Sequence, residues 1–162
     1  MKKKLGISLI IVSIILYLIL KFSIWHDDFE HNKVIDRIFI KGEKVETNYI
    51  GYIQIDSVDI KRGIVQGIND DILNNNDVGI IRDNNIILAG HAVENVFGNL
   101  NNISIFDEIK VQLYDKKYYY VVYEKIIVEK DNLQYLNSDL VLITCTNDDK
   151  RLLVLGCLID KK

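Results

Sequence analysis

The sequence contains no proline, and only two cysteines, three histidines and one tryptophan occur among its 162 residues. Without proline, the turns must rely on glycine, asparagine and aspartate, which adopt turn conformations at little cost. The two cysteines allow at most one disulfide. So few histidines and cysteines do not form a cluster with the number and spacing of metal ligands, and we assign no metal and no cofactor.

An excess of positive charge is also missing. The chain has 20 basic and 23 acidic residues, and Lys2, Lys3, Lys4 and Lys21 lie in or beside the first apolar stretch. Without those four lysines, the remainder has 16 basic against 23 acidic residues, a net charge near −7. Nucleic-acid binding depends on basic patches. We therefore exclude nucleic acid as an expected partner.

The N-terminal segment combines a basic start with a long apolar run. Residues 1–4 include three lysines, and Leu5–Leu20 carry no charge. As one helix, the 21 residues Leu5–Trp25 would be about 32 Å long, enough to span a hydrocarbon core of about 30 Å. Lys21 can reach the far interface, and Trp25 suits an aromatic belt. The pattern predicts a transmembrane anchor at residues 5–25, with residues 1–4 in the cytoplasm.

A cleaved signal peptide and a buried core helix are the two alternatives for this segment. Cleavage of a signal peptide requires a small-x-small pattern, which the following residues, KFSIWHDDFEH, do not contain. Three lysines followed by sixteen uncharged residues are not required of a helix that is buried in a protein core. The uncleaved anchor is favoured, and it places the rest of the chain outside the cytoplasmic membrane.

Residues 26–48 are a charged connector, in which we expect a short helix followed by an extended piece. Its His26 and His31 lie among acidic residues, where solvated histidines are expected rather than metal ligands. Residues 49–162 form a separate domain of short β-type runs separated by Asn, Asp and Gly turns. The predicted strands are Ile50–Asp56, Val58–Ile60, Gly63–Gln66, Val78–Ile81, Asn85–Ala89, Glu108–Tyr114, Tyr118–Val128, Leu140–Cys145 and Arg151–Ile159.

Many short strands with few helices predict a mainly all-β fold, either a closed barrel or a sandwich. Tyr114–Tyr118 is typical of a hairpin turn between two long strands. Asn69–Asn76 and Val93–Asn101 can each hold a short helix. The acidic and asparagine-rich segment Asn69–Asp77 is interpreted as a loop rather than a metal site.

Three polar residues stand where apolar strands end or begin. His91 is the only histidine of the β-rich domain and follows the apolar run Ile86–Gly90. Cys145 ends a second run, Leu140–Thr144, and Arg151 opens a third run after five polar residues. Taken alone, His91 is more simply explained as a surface-loop residue, and Arg151 as a strand end that solubilises the loop.

The spacing of Cys145 and Arg151 predicts that they face each other. Five residues is an ordinary hairpin loop, and directly opposed residues of antiparallel strands have Cβ atoms about 4.5–5.5 Å apart. The same register places Cys157 opposite Asp139, about 20 Å along the strand from Cys145, whereas a disulfide needs Cα atoms within about 7 Å. We predict that Cys145 is a free thiol and Cys157 a small buried hydrophobic residue.

A free thiol outside the cytoplasm suggests catalysis. An ordinary cysteine is only about 3 % thiolate at pH 7, so nucleophilic cysteines recruit a partner. An imidazole can stabilise the thiolate, protonate a leaving amine and later deprotonate an incoming nucleophile. A guanidinium can stabilise the oxyanion. Cys145, His91 and Arg151 meet these needs, although their spacing in sequence does not show that His91 approaches Cys145.

Three motifs resemble those of the sortase family of cysteine transpeptidases. Leu88–His91, followed by Phe97 and Leu100, resembles the family's L-x-G-H…F-x-x-L motif. Leu142–Cys145 resembles its T-L-x-T-C motif, and Arg151–Val154 its R-L-x-V strand. The order His, Cys, Arg is that of the family, and the similarity extends from about Ile50 to Ile159.

This resemblance implies an eight-stranded sortase barrel on the outer face of a bacterial membrane, held by a single N-terminal span. It implies cleavage of a C-terminal sorting signal of the Leu-Pro-x-Thr-Gly kind in surface proteins. The thioacyl-enzyme is then resolved by an amine of a peptidoglycan precursor or a pilin. By the same resemblance, Cys145 is the nucleophile, His91 handles protons, Arg151 steadies the oxyanion or the substrate backbone, and Thr144 helps to shape the substrate groove.

Two other functions remain open from the sequence. The first is a membrane-anchored cysteine peptidase that only hydrolyses its substrate, although papain-like peptidases usually place Cys before His in the sequence. The second is a non-catalytic, membrane-tethered β-domain that binds a partner. The products formed from a sorting-signal peptide and an amine distinguish all three functions.

Overall fold

A computed structural model of the chain describes residues 2–69, 72–73, 77–82, 85–132, 137–146 and 150–162. Helix α1 spans Lys2–Ile35 and passes into a π-helical turn at Asp36–Ile40. No proline interrupts it. The side chains of residues 7–20 are all exposed. Helix α1 is therefore long and apolar enough to cross a membrane.

The helix continues ten residues beyond the segment 5–25 that was expected to span the membrane. Within residues 26–48, only residues 41–48 lack helical structure. The continuation packs against the β-rich domain, and this changes the surroundings of His31. Expected to be solvated, His31 is instead half-buried, and its Nε2 accepts a hydrogen bond from the backbone N–H of Gly63 at 3.2 Å.

Eight strands close into a barrel, as the resemblance implied. In order around the barrel the strands are β1, β2, β3, β4, β7, β8, β6 and β5, and β5 pairs with β1 to complete the closure. Closure leaves no unpaired sheet edge. The strands are β1 (Tyr49–Ile55), β2 (Ile60–Gln66), β3 (Val78–Arg82), β4 (Ile86–Ala89), β5 (Glu108–Leu113), β6 (Lys116–Val128), β7 (Leu140–Cys145) and β8 (Arg151–Lys161).

The predicted strand boundaries agree closely with these bounds, with one exception. Val58–Ile60 is not a separate strand, because Asp56–Val58 form a 3-10 turn and Asp59 has a left-handed φ of +54°. This turn reverses the chain, so Ile60 begins β2. The predicted hairpin is confirmed: Leu113 pairs with Lys116, which leaves a two-residue turn.

The two predicted short helices have different outcomes. A 3-10 helix occupies Gly98–Asn102, which overlaps the C-terminal half of the region proposed for the second helix and ends one residue beyond it. Most of the segment Asn69–Asn76 lies outside the described residues, as do positions 147–149 of the loop between β7 and β8.

Most of the strand pairs are antiparallel, but β4 and β7 run parallel, as do β2 and β3. In the β4–β7 pair, Ile86 lies beside Leu140 and Ala89 beside Ile143. Because parallel strands end at the same edge of a sheet, the residues that follow β4 meet those that end β7 at one rim of the barrel. His91 and Cys145 are the residues concerned.

The core occupies the inside of the barrel, and a second apolar cluster lies on its outer face. Along β7, Leu140 and Leu142 belong to the inner core, whereas Val141 belongs to the outer cluster with Val128, Leu153 and Leu155. This follows the alternation of side chains along a strand. These four side chains are 8 % exposed or less, so this part of the outer face is already covered.

Both cysteines are free thiols, in agreement with the predicted register. The expected burial of Cys157 is wrong, since its side chain is exposed. Cys157 has the outward parity of Leu153 and Leu155 but lies beyond the outer cluster, in the part of β8 that pairs with Val121. Leu153 and Leu155 have the same parity and are buried, so Cys157 is exposed because its outward-facing position lies beyond the part of the outer face that is covered.

Candidate active site

Cys145 and Arg151 are directly paired, as the loop length predicted. Strands β7 and β8 are antiparallel in an unbroken register that begins at Leu140 and Gly156 and ends at Cys145 and Arg151. One further bond, from the Thr146 N–H to the Lys150 carbonyl at 2.9 Å, lies just beyond this pair. Directly opposed residues have Cβ atoms about 4.5–5.5 Å apart. The thiol is exposed and the guanidinium residue is half-buried.

His91 is brought to the same rim by the β4–β7 pair. Ala89 pairs with Ile143 at an offset of 54 positions (143 minus 89), and His91 and Cys145 differ by the same 54. The Gly90 N–H donates to the Ile143 carbonyl at 3.1 Å, so the ladder continues past the end of β4. Neighbouring strands are about 4.8 Å apart. His91 is thus the residue that follows the hydrogen bonds between β4 and β7, and its register position is the one beside Cys145.

The three residues share one face of the barrel. Along β4, Ile86 and Leu88 are buried in the core, while Ile87 and Ala89 face outward. Continued alternation places His91 on the outer face. Cys145 has the same parity as Ile143 on β7, and Arg151 the same parity as Leu153 on β8. The strand pairings therefore bring the backbones of residues 91, 145 and 151 to one rim of the barrel.

The loop after His91 is tightly folded. The His91 carbonyl accepts a hydrogen bond from the Phe97 N–H at 3.0 Å, and Phe97 is completely buried. A Cβ on Gly90 would lie 2.9 Å from both Phe97 and Val96. Glycine at position 90 thus allows Phe97 to pack directly on the backbone that precedes His91. The F-x-x-L part of the motif is explained as well, because Leu100 is fully buried in the same core.

An apolar groove of about 270 Å³ is lined in part by Arg151, whereas His91 and Cys145 are not among its lining residues. Its lining includes Ala89 of β4, Ile143 of β7 and Leu153 of β8, and Arg151 borders it. Ile68 and Asn132 contribute from the loops. Pockets of this kind, apolar with a few polar groups at the edge, are typical of ligand sites. The groove lies on the outward face of the sheet. A sheet face that is exposed to water would carry polar side chains at these positions.

Thr144 does not reach the groove. Its side chain is buried on the inner face of β7, with only 4 % of its surface exposed. Its hydroxyl has no hydrogen-bond partner among the described residues. Thr144 and Cys145 are neighbours in sequence but point to opposite faces of the sheet.

Sequence reasoning missed the groove residues Ile68, Lys130 and Asn132. A signal for the groove floor was present, because Ile87, Ala89 and Ile143 occupy outward positions that are usually polar on a solvated sheet. For the loop residues no such signal exists, since their approach depends on the barrel's closure. Among the described residues, no group of three or more His, Cys, Asp or Glu side chains is placed to hold a metal ion.

A closed eight-stranded barrel with a free cysteine, a histidine and an arginine at one rim defines the sortase class of fold. The family model for the sortase domain matches residues 53–159, about two thirds of the chain. The chain belongs to the sortase family. No curated protein sequence matches it significantly.

Solved sortase structures share this fold. Sortase C1 of Streptococcus agalactiae superimposes with a TM-score of 0.64 at 26 % identity, covering 72 % of this chain and 70 % of that one. Sortase A of Listeria monocytogenes has a TM-score of 0.65 at 23 % identity, covering 72 % and 90 %. Sortase E1 of Streptomyces coelicolor, solved with a tripeptide in its active site, has a TM-score of 0.64 at 21 % identity, covering 71 % and 90 %.

Proposed function

We propose that this sortase cleaves a C-terminal sorting signal, of the Leu-Pro-x-Thr-Gly kind, in surface proteins and joins the new carboxyl end to an amine. The acceptor is a peptidoglycan precursor or a pilin lysine. The observation that supports the proposal is that Cys145 and Arg151 are paired directly across β7 and β8. His91 follows β4, which runs parallel to β7, at the same offset of 54 positions from Cys145 as the paired residues of those strands. An apolar groove lies on this face of the barrel.

In the first half of the reaction, the Cys145 sulfur attacks the scissile carbonyl carbon and forms a C–S bond. The carbonyl electron pair moves to oxygen, and the Arg151 guanidinium, whose donors form a rigid fork, stabilises this oxyanion. When the C–N bond breaks, the His91 imidazolium donates a proton to the leaving amine. The product is a thioacyl-enzyme.

In the second half, an acceptor amine attacks the thioester carbon. His91, now neutral, accepts a proton from that amine, and Cys145 leaves as a thiolate when the oxyanion collapses. An amide forms and the C–S bond breaks, which returns the three residues to their starting protonation. The same residue thus acts as acid in one step and base in the next.

The groove provides a place for the apolar part of the sorting signal. Its floor of Ala89, Ile143 and Leu153 can bury apolar side chains, and each buried CH₂ contributes about 0.8 kcal/mol. Because Arg151 borders the groove, a bound peptide would run directly past the reactive rim. Thr144 is proposed to shape the groove indirectly, by fixing the inner face of β7 beneath Cys145.

Helix α1 supports a location at the bacterial cell membrane. Three lysines precede the apolar run, and positive charge is retained on the cytoplasmic side. A single span with a cytoplasmic N-terminus therefore places the barrel on the outer face. There it would meet secreted surface proteins and cell-wall or pilin amines.

The deciding experiment incubates the full-length protein with a sorting-signal peptide and an amine, followed by mass spectrometry. Ligated product and a thioester on Cys145 are expected. Free acid alone would indicate a hydrolase, and unchanged peptide a binding domain, so either outcome contradicts the proposal.

Cys145→Ala and Cys157→Ala form a matched pair, since both thiols are free and exposed. Only Cys145→Ala should abolish product. Equal loss of activity in a folded Cys157→Ala variant would show that the nucleophile is wrongly assigned.

A further inference from the structure

The part of helix α1 from Lys21 to Ile35, called here its outer turns, contacts the loop that follows His91. Lys21 Nζ lies 2.6 Å from a carboxylate oxygen of Glu94, which is three residues after His91. Six residues further along the helix, the Asn95 side chain donates to the Asp27 carboxylate at 3.2 Å. The predicted membrane anchor and the predicted catalytic loop are therefore in direct contact, although they are about 70 positions apart in the sequence.

A buried arginine joins the same two segments. Arg62, on β2, has only 3 % of its side chain exposed. Its Nη2 donates to the Asp28 carboxylate on α1, and its Nε donates to the backbone carbonyl of Asn95. Its remaining Nη1 has no hydrogen-bond partner within the described part of the chain. The guanidinium thus has Asp28 as its hydrogen-bonded ion-pair partner and the loop as a second acceptor, and the nearby charges of Asp27 and Asp77 also favour its charged form.

Further contacts fix the helix on β2 itself. The Gly63 N–H donates to His31, and Lys61 Nζ lies 2.5 Å from the Asp36 carboxylate. The contacts of α1 therefore involve three successive residues of β2 together with the loop at 94–95. A helix held at so many points acts as a rigid support for this side of the loop.

The loop has two sides, and the core fixes only one of them. On the core side, Phe97 packs under Gly90 and its N–H bonds to the His91 carbonyl. On the other side, the side chains of Glu94 and Asn95 and the Asn95 carbonyl contact only α1 and Arg62 in the contacts described above. Removing those contacts would leave the outer half of the loop with the loop's own backbone hydrogen bonds, from the Val96 and Gly98 N–H groups to the Val93 carbonyl.

We infer that the outer turns of α1 position His91 through all their contacts with residues 94–95. These are the Asp28–Arg62–Asn95 contacts and the exposed Lys21–Glu94 and Asp27–Asn95 contacts. The inference rests on the proposed role of His91 as proton donor and acceptor. Asp28 and Arg62 are positioning residues, because neither lies among the residues that meet at the reactive rim. A misplacement of about 1 Å at a reacting group can cost about 100-fold in rate, so a small shift of the loop has a measurable effect.

The test uses the full-length chain in lipid nanodiscs and the variant Asp28→Asn. This change keeps the size of the side chain but leaves the Arg62 charge buried without its partner. We expect kcat for thioester formation with a sorting-signal peptide to fall about 10-fold or more, while KM changes less than about 2-fold. Asp28→Glu should restore part of the loss.

Glu30→Gln is the matched control. It removes one negative charge from the same helix, but Glu30 contacts Lys33 on that helix rather than the barrel. Its kcat should stay within about 2-fold of the original value. Alkylation of Cys145 by iodoacetamide, read by peptide mass spectrometry because Cys157 is also exposed, should slow in Asp28→Asn, since a displaced imidazole stabilises the thiolate less, and should be unchanged in Glu30→Gln.

A spectroscopic readout separates this inference from the proposed activity. The ring resonances of His91, labelled with ¹⁵N, should move in Asp28→Asn and stay in place in Glu30→Gln. If the original protein forms no thioester but these resonances behave as expected, the positioning is supported and the transpeptidase proposal fails. If Asp28→Asn is folded with unchanged kcat and unchanged His91 resonances, the positioning is refuted.

A second variant covers the case in which Asp28→Asn does not fold. Lys21→Ala combined with Asp27→Ala removes the exposed contacts to Glu94 and Asn95 and the Asp27 charge that acts on Arg62, and it leaves the buried Arg62–Asp28 pair in place. A fall in kcat of about 3-fold, with a shift of the His91 resonances, is expected. No change in either measurement would overturn the inference.

Discussion

Cys145 and Arg151 form the last pair of the β7–β8 register, so the strands themselves hold the guanidinium opposite the thiol. Such a cation stabilises negative charge beside the sulfur without any loop movement. Arg151→Ala should therefore lower kcat/KM for thioester formation about 100-fold or more, as expected for loss of an oxyanion donor. Single-turnover mass spectrometry measures this rate.

Arg151→Lys is the informative companion, because it keeps the charge and removes the planar fork. We expect it to recover part of the activity and to remain about 10-fold below the original protein. Full activity in Arg151→Lys would mean that charge alone is required. Full activity in Arg151→Ala would remove Arg151 from the mechanism.

The groove predicts a substitution that affects substrate binding alone. Ala89 lines the groove on the outward face of β4, so Ala89→Phe should fill it. KM for the peptide should rise about 10-fold, whereas alkylation of Cys145 by a small reagent should be unaffected. Steady-state kinetics and iodoacetamide labelling provide the two measurements.

Ile127→Phe is the control for that change, because Ile127 is 63 % exposed and lies outside the groove. It should leave both measurements unchanged. An Ala89→Phe protein that binds peptide with its original KM would show that the sorting signal binds elsewhere.

Gly90 has no side chain, and this absence lets the core pack against the backbone that precedes His91. A Cβ at this position would approach Phe97 and Val96 to 2.9 Å, closer than normal packing permits. Gly90→Ala should lower the free energy of unfolding by about 1–3 kcal/mol, the usual cost of overpacking, and reduce kcat by displacing His91. Denaturant unfolding in detergent measures the first effect.

Combining Gly90→Ala with Phe97→Leu provides the check. The smaller leucine makes room for the new methyl group, so the double variant should lose less stability than the two single variants together. Strictly additive losses would show that the two side chains do not meet in the folded protein.

The docking of α1 should depend on pH through His31. Burial lowers the pKa of His31 below its usual value near 6.5, so the folded protein favours the neutral ring that accepts the Gly63 N–H. The unfolded chain then binds the proton first as the pH falls. Stability should be full above about pH 6.5 and should decline below it, by less than about 1.4 kcal/mol per pH unit.

Two acidic residues and a tyrosine surround this ring. Burial raises the pKa of Asp77. This shift changes stability in the opposite direction to that of His31, because it lowers the stability of the folded protein as the pH rises above about 3.8. The Asp27 charge favours protonated His31, and the Tyr49 hydroxyl lies 3.4 Å from Nδ1. The quantity to measure is therefore the difference in thermal midpoint between the original protein and His31→Gln from pH 5 to 7.5. A difference that does not vary with pH contradicts the prediction.

The sequence predicted the β7–β8 side of the site well, because that geometry is local. A five-residue loop between two apolar strands fixes the register, and the register fixes which residues face each other. The unpaired state of both cysteines followed from the same count. The exposure of Cys157 was missed because strand composition does not show how far the outer face of the sheet is covered.

The position of His91 relative to Cys145 is a different kind of problem. It depends on the parallel pairing of β4 with β7, and hydrophobic periodicity identifies strands without identifying their partners. The length of α1 was underestimated for a similar reason. Charged residues after Trp25 suggested a solvated connector, whereas Asp28 and His31 have partners on β2 that become visible only in three dimensions.

The offset of 54 positions between β4 and β7 has a consequence for when the protein becomes reactive. Contacts between distant segments require closure of a long loop and therefore form late in folding. An unfolded chain carries a solitary thiol with no imidazole near it, and the pair is assembled only when the barrel closes. Under the proposed mechanism, Cys145 should therefore become able to form a thioester only as the native topology forms, and the rate at which it does so should report the completion of folding.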